Sequence, residues 1–68
     1  MSETAEQAYR RNHLAVQETM VELAAMLKLH ADVAADHPDS WAMVGDLAEL
    51  NAQLARALAF IDPSSEEE

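Results

Sequence analysis

Three histidines, His13, His30 and His37, and the stretch AADHPDSWAMVGDL at 34–47 hold the residue types able to do chemistry in this chain. The stretch gathers a His, three Asp, a Ser and the only Trp. A metal gripped by one helix takes ligands at i, i+3 or i+4, where side chains share a face. His30 and His37 are seven apart, roughly 10 Å of helical rise. No Glu-x-x-His occurs, which removes the di-iron bundle signature. There is no cysteine for a thiolate ligand, a nucleophile or a disulfide. Nor is there a Gly-rich phosphate loop, or a Ser, His and Asp set that one cleft would gather. A bundle of this size leaves no room for a pocket of about 300 Å³. The expectation is a chain with no metal, no cofactor and no catalytic residue, and hence not an enzyme.

Asp36, Asp39 and Ser40 then have a simpler reading, because Asp and Ser begin and end helices and populate turns. Around them lie Ala, Leu, Met, Glu and Gln, all strong helix formers. Only one Gly and two Pro interrupt the 68 residues. An all-α chain follows, with two helices at about 4–36 and 39–62. Thr4 is the expected cap of the first, with Gln7 completing a capping-box spacing and Ser2 as the alternative. Pro38 disfavours helical geometry at His37 and ends that helix. Asp36, His37 or Asp39 caps the second, with Pro38 in its first turn. The break is then two to four residues, the length of a connection between antiparallel helices. Pro63 stops the second helix. Residues 1–63 form the helical domain, and 64–68 read as a disordered acidic tail.

The apolar positions are spaced as a coiled-coil seam. In helix 1, Tyr9, His13, Val16 and Met20 continue through Leu23, Leu27, His30 and Ala34 at intervals of four and three. In helix 2 the same spacing links Val44, Leu47, Asn51, Leu54, Leu58 and Ile61. A hairpin folded at Pro38 sets Leu47 against Leu27 and Leu58 against Val16. Asn51 either fixes register among these leucines or lies in water at the seam's edge. Gly45 costs about 1 kcal/mol against Ala in a helix, and is read as allowing a close backbone approach. His13 and His30, if buried neutral, would make stability fall with pH, since burial disfavours the charged imidazolium.

One hairpin cannot cover this much apolar surface. Leu14, Val21, Met26, Leu29 and Val33 point away from the seam. A helix apolar nearly all round needs cover on more than one side, and a short chain without disulfides needs a partner. A homodimeric four-helix bundle with C2 symmetry is the expected assembly.

The net charge of −9, from thirteen acids and four bases, bounds the partners. It repels phosphate backbones and anionic lipid and favours a protein with a basic surface. No apolar leader or membrane-length run is seen, so a cytoplasmic location is expected. A second stripe on helix 1, Arg10, Leu14, Gln17, Val21 and Lys28, carries two of the four bases among exposed aliphatics. With Tyr9 and Arg11 from TAEQAYRRNH at 4–13, the ten residues by which helix 1 outruns helix 2, and with Trp41 near the turn, it is the candidate partner-binding surface. The expected function is that of a small acidic interaction protein which dimerises and binds another protein to regulate or inhibit it. Phage-carried inhibitors and anti-activators of nucleic-acid-binding regulators are of this type, as are small secretion chaperones. A short hairpin with an acidic tail also resembles, in outline, the Rop-type plasmid copy-number regulators. That resemblance implies RNA binding, with Arg10, Arg11, Gln17 and Lys28 on phosphates, though no motif carries it.

Overall fold

The computed structural model describes residues 2–66, and among these the chain is all-α. Helix α1 spans Ala5–Ala35, helix α2 spans Trp41–Ile61, and a single 3-10 turn covers Pro63–Glu66. The chain divides into two units between Asp36 and His37.

The start of α1 follows from two side chains. Thr4 has extended backbone, and the Gln7 N–H donates to its Oγ1 at 3.1 Å. The Thr4 N–H donates in return to Gln7 Oε1 at 2.9 Å. Two otherwise orphaned donors are thereby satisfied, completing the capping box expected from the sequence. At the other end Asp36 is the C-cap, its N–H donating to the Val33 carbonyl at 3.1 Å.

The second helix begins later than expected. The Ser40 N–H donates to the His37 carbonyl at 3.0 Å, closing a turn over 37–40. Pro38 takes the second position of this turn, where its fixed φ fits, rather than the first turn of a helix. Ser40 is left extended and caps α2, its Oγ accepting from the Met43 N–H at 3.3 Å. Asp36, His37 and Asp39 are therefore not the N-cap of α2, and the break is the five residues 36–40. The bounds 4–36 and 39–62 correct to 5–35 and 41–61.

Helix α2 ends where Pro63 can no longer continue it. The C-cap Asp62 donates its N–H to the Leu58 carbonyl at 3.0 Å. Its Oδ1 accepts from both the Ser64 N–H and the Ser64 hydroxyl, at 3.0 and 2.8 Å. The hydroxyl first, and the backbone N–H second, hold the Asp62 carboxyl below its ordinary range. Of the acidic tail expected at 64–68, residues 67 and 68 lie outside the described residues.

No described residue is buried. Leu23, His30 and Ala34 on α1, and Met43 and Leu50 on α2, are half-buried. The remaining large apolar side chains of both helices are exposed.

Candidate interaction surface

On α1, at about 100° per residue, every Asp, Glu, Lys and Arg falls on roughly half of the circumference. The other half is free of charge and holds the seam positions. Half-buried Leu23, His30 and Ala34 lie near its centre with exposed Val16, and exposed Tyr9, Met20 and Leu27 flank them on one side. His13 is exposed and its ring lies 5.8 Å from that of Tyr9. The pH dependence expected of His13 and His30 required burial, which neither has within the chain: one is exposed and the other only half-buried.

The charged half is tied together at its N-terminal end. Arg10 pairs with Glu6 at 2.6 Å, one helical turn away. Arg11 grips Glu3 through two parallel bonds, Nε to Oε2 at 2.9 Å and Nη2 to Oε1 at 2.7 Å. This fork holds the Glu3 carboxyl below its ordinary range and raises the Arg11 guanidinium. Two of the three bases of the candidate partner surface, Arg10 and Arg11, are thus engaged by acids of the same chain. Leu14 and Val21 remain open on this side at 55% and 71% exposure, level with Gln17 and Lys28. Gln17, Glu18, Val21 and Glu22 frame a shallow depression there.

Helix α2 is more one-sided still. Its charged residues, Asp46, Glu49 and Arg56, fall within about 80° of arc. The rest of the circumference carries two apolar flanks. The larger has Val44, Leu47, Leu54, Leu58 and Ile61, all exposed, with exposed Asn51 among them. The second is small: Gly45, Ala48, Ala52, Ala55 and Ala59 at intervals of three and four. A Cβ built on Gly45 meets no atom within 4 Å, so nothing in this chain makes the close approach expected there.

Trp41 opens α2 at 82% exposure and borders a shallow concavity formed with Pro38, Asp39, Ser40 and Val44. The sequence reading passed over Phe60. It is 83% exposed and falls on the charged arc of α2, about two turns beyond the point where the Gln53 amide donates to the Glu49 carboxylate at 2.9 Å. Its signal was legible: the only Phe of the chain lies off the seven-residue repeat.

Among the described residues no group of three His, Asp or Glu is placed to hold a metal ion. No helix is long and apolar enough to cross a membrane. No family model matches the chain, and neither the curated proteins nor the solved structures contain a match to it.

Proposed function

We propose that this chain is a non-enzymatic interaction protein, which completes its core by pairing with a second copy and then binds a heterologous protein to regulate or inhibit it. The observation that carries the reading is the coincidence of two charge-free helix faces with the absence of any buried described residue. Helices in proteins draw most of their stability from packing an apolar face. In the proposed assembly two hairpins close into a four-helix bundle in the cytoplasm. Val16, Met20, Leu23, Leu27 and His30 of α1 face the α2 seam in its centre.

The heterologous partner is a protein with a basic surface, attracted by the charge of −9. It seats on the side of α1 that the seam leaves open, around Leu14 and Val21. The ion pairs of Arg10 and Arg11 favour this over RNA binding, because those guanidiniums would have to leave Glu6 and Glu3 to reach phosphates.

The test compares the wild-type chain with Leu14→Asp and Val21→Asp as baits in cell extract. Both variants keep the seam and are expected to remain dimeric while losing the captured protein. Capture unaffected by either change would overturn this assignment of the surface, and no specific capture by the wild type would overturn the regulatory reading.

A further inference from the structure

We propose that the occupant of the open side of α1 is a basic amphipathic helix, which lies along α1 and sets one pair of cations against Glu18 and Glu22 and a second pair against Asp32 and Asp36. This rests on the basic-partner reading above and names the form of the partner. At about 100° per residue the four acids fall within about 80° of arc, with Ala25 and Leu29 between them. All of these side chains are exposed. Each acid pair is spaced i, i+4, and the second pair repeats the first fourteen residues on, about 21 Å along the axis. Fourteen residues are close to four whole turns, so the two pairs lie almost in line. The band therefore runs from acid pair through an apolar step to acid pair. Lys28 falls outside it, about 60° from Ala25.

Charge decides the chemistry of the occupant. Like charges four residues apart on a helix repel each other. The ion pairs among the described residues join Arg10 to Glu6 and Arg11 to Glu3, and bring no cation to either acid pair of the band. The last turn of α1 holds no base, so Asp32 and Asp36 add their charge to the negative end of the helix dipole. A cation from outside relieves the repulsion at both places, whereas a nucleic acid or an anionic lipid adds to it. Spacing decides the form. A partner helix repeats its side chains in step with α1, so bases at i and i+4, repeated fourteen residues on, reach both pairs from a single face. Apolar residues between those bases cover Leu29, 56% exposed. They also reach Val21, which shares a shallow depression with Gln17, Glu18 and Glu22. An extended segment would need a sheet edge to pair its backbone, and a helix offers none.

The test titrates the full chain into fluorescent peptides of about 20 residues, Ala-rich for helicity. Salt is held at about 150 mM, which screens diffuse attraction. The matched peptide carries two Lys pairs fourteen residues apart, with Leu between them. The offset peptide has the same composition, but its second Lys pair is moved by two residues and so to the far side of its helix. Anisotropy is expected to show the matched peptide binding about tenfold more tightly than the offset one. The double change Glu18→Lys and Glu22→Lys is expected to abolish that preference. Two further peptides exchange one or the other Lys pair for Glu, and one of them is expected to restore tight binding to the double variant. Glu and Lys have similar helix propensity, and circular dichroism checks that the variant stays helical. Equal binding of the matched and offset peptides to the wild type, or restoration by neither exchanged peptide, would overturn the inference. In that event the basic-partner reading still stands if the wild-type bait captures a protein that Leu14→Asp or Val21→Asp releases. Peptide binding as expected, with no specific capture from extract, would support the helix-binding surface and overturn the regulatory reading alone.

Discussion

Thr4 shows how much one residue decides at the start of a helix. Its reciprocal bonds with Gln7 satisfy two amide donors that α1 cannot satisfy itself. Thr4→Ala is expected to cost about 1 kcal/mol of helix stability, read as a lower melting temperature and faster hydrogen exchange at the Gln7 amide. The pair beside it gives a pH dependence of definite sign. Arg11 lowers the Glu3 carboxyl in the folded chain, so its contribution is full above the ordinary carboxylate range, near pH 4.3, and is lost on acidification below it. Asp62, lowered by Ser64, acts in the same direction at the other end of the chain. Glu3→Gln is expected to reduce helicity at pH 7 and to flatten its fall on acidification below the ordinary carboxylate range. The capping box was legible because it is a matter of spacing within four residues. The cap of α2 was not, because DHPDS offers several cap-forming residues in succession. The hydrogen bond closing the turn at Ser40 decides among them, and composition cannot supply it.

At the scale of the elements, two helices and the break between them were legible from propensity and from two prolines. The inner boundaries moved because a proline that can open a helix can equally take the second position of a turn. The apolar faces were legible as a seven-residue repeat, which also drew attention away from Phe60. Helix α2, with its charges gathered on one narrow arc, gives two further predictions. Gly45→Ala is expected to stabilise α2 by up to about 1 kcal/mol, since the added methyl meets nothing within the chain. A helical but monomeric Gly45→Ala protein would instead place a second copy against that glycine. Leu54→Ala reports on the larger flank. If the assembly buries this flank, the change costs about 2–5 kcal/mol in a concentration-dependent melt. A solvated face would lose no more than about 0.5 kcal/mol.

For the whole molecule, charge and apolar surface act against each other. Two chains of net charge −9 repel as they approach, while the exposed apolar side chains of both helices favour their union. Raising the salt from about 10 mM to 150 mM shortens the screening length from about 30 Å to about 8 Å. Association of the chain with itself is therefore expected to tighten with salt, whereas binding to a basic partner is expected to weaken. Opposite responses in one titration series would separate the two interfaces. The repeat makes the need for a second chain legible, but which surfaces meet is a property of the pair and has no local spacing to announce it. Sedimentation equilibrium from about 1 to 100 μM, spanning dissociation constants typical of such assemblies, addresses the central claim most directly. The account predicts a mass twice the 7.5 kDa of the chain and helicity that falls as the dimer dissociates. A 7.5 kDa species throughout, fully helical and melting cooperatively at a temperature independent of concentration, would contradict it.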